Sequence, residues 1–484
     1  MSKFREPVAF EAPTADWQLL PFRFERINGR VLLTNMVGEH LFVSGKDFEQ
    51  VAEGPLPVDS SLVRRLRAKH MIRQESEPLP IELLALKART RYRRLSEFTG
   101  LHIFVASLRC EHSCPYCQVS RQSSDKTLYD MSPETAALAL DAAFRSPSAN
   151  IKIEFQGGEP LLNFELIEDV VARAKSRNEE AGKNLSFVIA TNLALLDERV
   201  LDFCDAHGIY ISTSLDGPAD LHNKNRPRPG RNSWELATEG IQRVRERLGI
   251  DRVSALMTTT RSSLDRVKEI IDCYVEQGLS SMFLRPLSPY GFAIKTKSFA
   301  AYDVDRWLPF YEEGLDYIIE LNSKGVPMVE QYAAIILKKM FTNDDPGYVD
   351  LTSPSGIGIG AIVYNYDGDV YASDEGRMLA EMGDTTFRLG NLHEDTYEEI
   401  LLSEALLQPL DQSFTASAPM CSDCAFEPYC GADPVYHHAT SGDYLGRKPT
   451  SGFCKRNMAI FKLLLDRYEG DPSTRALFRT WAGH

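Results

Sequence analysis

Cys110, Cys114 and Cys117 stand in the spacing C-x-x-x-C-x-x-C within SLRCEHSCPYCQVSRQ, directly after the apolar run LHIFVASL. Thiols this close together belong to a disulfide framework, a zinc site or an iron–sulfur site. A cubane 4Fe–4S cluster offers four iron sites, commonly all filled by thiolates, and no fourth cysteine lies nearby in the chain. One solution is zinc, with His112 adding a nitrogen to three sulfurs. The other is a cluster with one iron left open for a small molecule. Spacing alone leaves both standing.

A second set lies near the end of the chain. Cys421, Cys424 and Cys430 read C-x-x-C-x-x-x-x-x-C, and Cys454 follows some two dozen residues later. Four thiols suit a Cys₄ zinc site and an iron–sulfur cluster equally. Cys204 and Cys273 stand alone in helix-like segments and read as buried structural cysteines. In a reducing compartment clustered thiols signify metal or catalysis rather than disulfides.

Three further motifs end candidate strands. Gly157–Gly158–Glu159–Pro160 ends the second; its glycines permit close approach to the backbone, and Glu159 can accept a hydrogen bond from an amine. Thr191 and Asn192 end the third. The fourth ends in SLDGP, where Ser214 and Asp216 are able to hold ribose hydroxyls.

The elements that must position these groups are legible from about residue 100. Apolar runs HIFVASL, IKIEFQG, LSFVIATN, IYISTSLDG, VSALMTT and SMFLRPL alternate with helical segments. Six strand–helix repeats imply an α/β fold with a parallel sheet, doubly wound or curved into a partial barrel, with functional residues at the strands' C-terminal ends. Before it, residues 1–95 read as a small winged-helix-like unit and connector: a short β-meander around NG and VGE turns, then two helices, the second capped by Asp59 or Ser60. The connector KARTRYRRL reads as a solvated basic helix face. After residue 300 come helices, the hairpin IGAIVYNYDGDVYASD, a helix capped by Asp395 or Thr396, and the second cysteine set. A net charge of −14 argues against broad nucleic-acid or anionic-membrane surfaces. The start MSKFREPVAFEAPTADWQLL has no signal-peptide pattern, and no apolar run approaches the length of a bilayer span; a cytoplasmic protein is expected.

Taken together, the cysteine loop and the three strand-end motifs resemble the radical S-adenosylmethionine (SAM) superfamily over roughly residues 100–290. The resemblance implies a partial (β/α)6 barrel, residues 96–300, in which Cys110, Cys114 and Cys117 hold a 4Fe–4S cluster and SAM chelates the open iron. Tyr116 then lies beside the adenine, GGEP (Gly157, Gly158, Glu159, Pro160) receives the methionine amine, Ser214 and Asp216 contact the ribose, and Arg226 is a candidate for the carboxylate. Reductive cleavage of SAM would give a 5′-deoxyadenosyl radical that abstracts a substrate hydrogen. Residues 301–484 resemble the SPASM extension, which carries auxiliary clusters. The full pattern has seven cysteines; Ser373 and Pro434 stand where two of its thiols belong. One auxiliary 4Fe–4S cluster is therefore expected, held by Cys421, Cys424, Cys430 and Cys454. Asp374 matches a catalytic acid–base aspartate of sulfatase-maturing relatives, the alternative being a polar hairpin end.

SPASM proteins widely modify peptides or proteins, and the N-terminal unit is similar to PqqD-like peptide-recognition modules, which add an extended leader as an edge strand. The whole chain most resembles the His-Xaa-Ser system radical SAM maturases. That implies a precursor peptide or repeat protein as substrate, a second radical SAM protein as partner, and an electron donor such as flavodoxin or ferredoxin, with no nucleic acid and no membrane. The alternatives are a sulfatase-type formylglycine maturase and a non-catalytic partner subunit.

Overall fold

A computed structural model of the chain describes residues 17–53, 56, 60–75 and 77–483. Asp59, one of the two expected caps, and residues 1–16 of the N-terminal unit lie outside the described residues.

At the centre is an eight-stranded mixed sheet. Five parallel strands, Leu101–Ser107, Asn150–Gly157, Asn184–Ala190, Tyr210–Ser214 and Val253–Leu256, lie side by side in chain order. Helices return the chain between them, among them Pro133–Arg145 and Glu198–His207, whose N-caps Ser132 and Asp197 accept from Thr135 and Val200. Parallel strands require such crossovers and are covered on both faces. Phe104, Val105 and Ala106 are accordingly fully buried.

The expected sixth strand is a correction. In SMFLRPL only Ser281–Met282 pairs, with Val329–Glu330, outside the large sheet. Pro286 offers no N–H, and the buried carboxylate of Glu330 takes the Leu284 N–H (3.1 Å) together with Tyr311 and Ala333. A side chain thus replaces the ladder that would have continued the strand. The sheet grows instead at its other edge. Ala361–Tyr364 pairs parallel to Leu101–Phe104, and the strands Asp369–Tyr371 and Arg388–Asn391 follow antiparallel. The sheet therefore runs on past residue 300 into the third segment, whose helix Tyr397–Leu401 is opened by Thr396 in a capping box with Glu399.

At the N-terminus, Phe22–Ile27, Arg30–Asn35 and His40–Ser44 form a three-stranded antiparallel sheet. Asn28 and Gly29 both have positive φ, as the tight hairpin turn requires. Helices Gly45–Glu53 and Ser61–Ala68 follow, the second capped by Ser60, and the unit has its own small core around Leu33, Val43, Val63 and Leu66. Leu32, between two residues of that core, packs instead into the large core. The central strand is thus buried on both faces. The basic connector is a second correction: Arg91 is 6% exposed, and its guanidinium donates to the carbonyls of Val37, Lys339 and Pro428. Among the described residues no helix is long and apolar enough to cross a membrane.

Candidate functional site

The loop bearing Cys110, Cys114 and Cys117 is held from several sides. Arg109 grips Asp130 with two 2.7 Å hydrogen bonds and donates to the Leu162 carbonyl. Ser113 N–H donates to the Pro227 carbonyl, and Phe292 N–H to that of Cys117 (both 2.8 Å). Gly291, at φ 58°, lies so close that a Cβ would sit 2.3 Å from the Gln118 carbonyl oxygen.

All three thiols line one cavity over the strand ends, together with Tyr116, Gly157, Gly158, Thr191, Asn192, Ser214, Arg226 and Asp374. Glu159, Pro160 and Asp216 are not in its lining. Glu159 is fully buried and accepts from Leu161 N–H (3.0 Å), the Thr191 hydroxyl (2.8 Å) and Asn192 N–H (2.9 Å). It ties the GGEP turn to the next strand end; burial, with Glu111 nearby, raises its pKa to about 8. Pro160 opens a short 3-10 turn behind it. Asp216, also fully buried, accepts from Tyr116 Oη (2.5 Å), Arg226 Nε (3.1 Å) and Thr258 N–H (3.2 Å). Burial pushes its carboxyl up, but Arg226, His222 and Tyr116 outweigh this and hold the pKa low. Arg226 also lies over the Tyr116 ring, 5.6 Å from its centroid. Asp216 therefore positions the two side chains that face the cavity.

The glycines also have a different neighbour from the one anticipated. A Cβ on Gly157 would sit 1.9 Å from the Ser107 carbonyl oxygen, and one on Gly158 2.3 Å from that of Arg109. It is the root of the cysteine loop that approaches this backbone, through Gly158 N–H to Ser107 and Glu159 N–H to Arg109 (2.8 Å each).

Both nitrogens of His112 are engaged, Nδ1 with Glu111 (2.9 Å) and Nε2 with Ser233 (2.8 Å), and the residue is 3% exposed. Glu111 in turn accepts from Asn192. Cys110, Glu111 and His112 lie close together, but the last two are committed to each other. The donor set facing the cavity is three sulfurs with an open side. It suits a three-thiolate cluster better than a sulfur–nitrogen zinc site. Burial raises the pKa of Cys110, and that of Cys114 to about 12; an electropositive metal reverses that penalty.

Glu154 and Gln156, bonded to each other at 2.7 Å, line the cavity from the second strand and were missed by motif reading. Their signal is alternation: Ile151, Ile153 and Phe155 face the helices, so Glu154 and Gln156 face inward. Asp374 begins a helix whose N-cap is Ser373, and accepts from Arg377 Nε (2.9 Å).

Cys421, Cys424, Cys430 and Cys454 also converge: each thiol's pKa is raised by burial, and all but Cys454's also by neighbouring thiols. Cys454 sits in the first turn of the helix Gly452–Gly470, capped by Ser451. The set is all sulfur, and its thiols are not drawn together tightly enough to grip a single ion directly. Cys204 and Cys273 are buried away from both groups.

The family profile described as the radical SAM superfamily matches residues 104–274. The chain is 23% identical over 348 residues to the cysteine-type anaerobic sulfatase-maturating enzyme of Clostridium perfringens (strain 13 / Type A), covering 68% of this chain and 87% of that one. Among solved structures, native anSMEcpe with bound AdoMet matches with TM-score 0.63 at 17% identity, over 79% of this chain and 99% of that one. Streptococcus suis SuiB bound to precursor peptide SuiA matches with TM-score 0.50 at 15% identity, over 89% and 99%. At these identities the two structures share the fold. The cysteine loop, the five strand ends that face it and the profile match agree: residues 104–274 are a radical SAM superfamily domain, of the kind that holds a 4Fe–4S cluster and SAM.

Proposed function

We propose that the protein is a radical SAM maturase that modifies a ribosomally made peptide or protein. The observation that carries this is the cavity in which Cys110, Cys114 and Cys117 face Tyr116, Ser214, Arg226 and Asp374 across the strand ends. The cluster and SAM, when bound, supply a 5′-deoxyadenosyl radical for hydrogen abstraction. The chain's own residues do the positioning. Asp216 holds Tyr116 and Arg226, which would meet the adenine and the carboxylate; Ser214 would meet the ribose and the Gly157–Gly158 backbone the methionine amine. Asp374, which lines the same cavity, would take a proton from the substrate.

A polypeptide substrate is supported by the N-terminal three-stranded unit. Its strand His40–Ser44 is an edge strand next to the helix Ser61–Ala68, a geometry suited to adding a leader segment. The likeness in fold to SuiB, solved with its precursor peptide, supports the same reading. The finer assignment is a His-Xaa-Ser type maturase, acting beside a second radical SAM protein, fed by flavodoxin or ferredoxin, with one auxiliary 4Fe–4S cluster on Cys421, Cys424, Cys430 and Cys454. The second reading, a formylglycine-forming maturase, is favoured by the Clostridium perfringens relative. Anaerobic reconstitution with SAM and reductant, with mass spectrometry of co-expressed precursor peptides, tests the proposal. Wild type is expected to release 5′-deoxyadenosine and shift a peptide mass; Cys110→Ala does neither. Absence of 5′-deoxyadenosine from the wild type would overturn it.

A further inference from the structure

Behind the Asp374 wall lies a second, smaller chamber. Asp374 faces the first cavity and its neighbour Glu375 the second, and Arg285 lines both. The chamber's charged groups are Asp350, Glu375 and Asp433 against Arg285 and Arg456, three negative and two positive. Pairing among them is loose. Arg285 reaches Glu375 only at 3.7 Å, Asp433 gives one oxygen to the Tyr436 N–H, and among the described residues the Asp350 carboxylate receives no hydrogen bond. Two buried polar atoms at the chamber, Tyr290 Oη and Trp307 Nε1, have no partner, and both residues are 1% exposed.

With all three carboxyls ionised the arrangement carries one net negative charge, and it leaves the Tyr290 hydroxyl and the Trp307 indole N–H unpartnered. A proton on one carboxyl would cancel the charge but fill no space. Water would fill the space, which has room for about two molecules, but leave the charge. A small cation does both: the carboxylates and Tyr290 Oη give it oxygen partners, beside the aromatic lining residues Phe283, Tyr332 and Tyr348. Burial raises the pKa of all three acids, and repulsion from neighbouring carboxylates adds to it for Glu375 and Asp433, while at Asp350 the two arginines work against it.

We propose that this chamber is a binding site for an ammonium-type cation, the end of a basic side chain or a free monovalent ion. Only assignment to a substrate side chain rests on the maturase reading; the site does not. The test titrates full-length reconstituted protein with butylammonium, ammonium or potassium chloride, against tetramethylammonium chloride, whose charged centre is sheathed by four methyl groups and too wide for so small a chamber. Thermal midpoint and tryptophan fluorescence are read, Trp307 lying in the chamber wall. Saturable changes with at least one of the three cations are expected, weakened by roughly tenfold in Asp350→Asn, as befits one lost charge-assisted hydrogen bond. Tyr290→Phe, which keeps the ring, provides a second weakened variant if Asp350→Asn does not fold. Butylammonium alone saturating assigns the site to a substrate side chain, and ammonium or potassium saturating equally assigns it to a free ion. Responses no different from tetramethylammonium, or saturation unchanged in the folded variants, would overturn the proposal. No SAM cleavage is involved, so failure of the maturase assay and failure of this one are separable.

Discussion

At the scale of single residues, the cavity is built by carboxylates that never face it. Glu159 and Asp216 are fully buried and each collects donors from a neighbouring strand end. Their residue types and their places at strand ends were legible in the sequence. Their direction was not, because it is set by partners elsewhere in the fold: Thr191 and Asn192 at the next strand end for Glu159, and for Asp216 Tyr116 in the cysteine loop and Arg226 at the end of the helix Ala219–Asn225. Glu159 gives a pH prediction. Its folded pKa, about 8, lies above the ordinary carboxylate value. Between those values the unfolded chain has released the proton and the folded chain retains it, so stability falls as pH rises and the cost is complete above about 8. Glu159→Gln removes that dependence. The thermal midpoint of the variant relative to wild type should therefore climb from pH 5 to pH 9, and a difference that stays flat would show that Glu159 ionises freely. Gly158 gives a simpler one. A methyl group 2.3 Å from the Arg109 carbonyl oxygen displaces the root of the cysteine loop, so Gly158→Ala should lose most iron from the three-cysteine site while the second cysteine set keeps its metal. Iron analysis of Gly158→Ala in wild-type and Cys421→Ala backgrounds separates the two sites.

Among elements, two of the positions where the SPASM resemblance expects a thiol that is absent, Ser373 and Pro434, are both helix starts. Ser373 is 2% exposed and caps the helix Asp374–Ala380 through its hydroxyl, which accepts from Gly376 N–H at 3.1 Å. Pro434 opens the helix Pro434–Ser441 immediately after its cap Asp433, a position where a missing N–H costs nothing. The absence of cysteine was visible in the sequence, but what replaces it was not, since a cap is recognised only once the helix it opens is known. Ser373→Ala should destabilise the protein by about 1 kcal/mol, the usual cost of a lost cap, measured by chemical unfolding. Ser373→Cys should add no iron, because one thiol at a helix cap has no partner set; extra iron bound by this variant would contradict the capping role. The same limit explains the misread sixth strand. Its apolar run promised a ladder, and the competitor is a single carboxylate, Glu330, supplied some fifty residues later.

Across the whole molecule, the N-terminal unit is joined to the rest through buried polar contacts as well as through Leu32 and Ile27. Tyr429 donates to the Gly38 carbonyl at 2.6 Å, and Arg23 pairs with Glu427 at 3.0 Å, with both side chains nearly buried. Between them lies Arg91, which sequence composition assigned to a solvated basic face; nothing in KARTRYRRL distinguishes the arginines that turn inward, Arg91 and, less fully, Arg94, which donates to the Pro354 carbonyl. Its guanidinium bridges the turn before strand His40–Ser44, the helix Gln331–Phe341 and the loop that carries Cys430. Arg91→Ala would leave three carbonyls without that donor, at about 1–3 kcal/mol for each that stays unsatisfied. Because these contacts cross between segments, the loss should appear first as separation of the N-terminal unit rather than as global unfolding. The expected result is early amide exchange in residues 30–44, with the iron content of the first site unchanged. Exchange rising uniformly through the strands of the large sheet would show instead that Arg91 supports the common core and that the N-terminal unit does not open on its own.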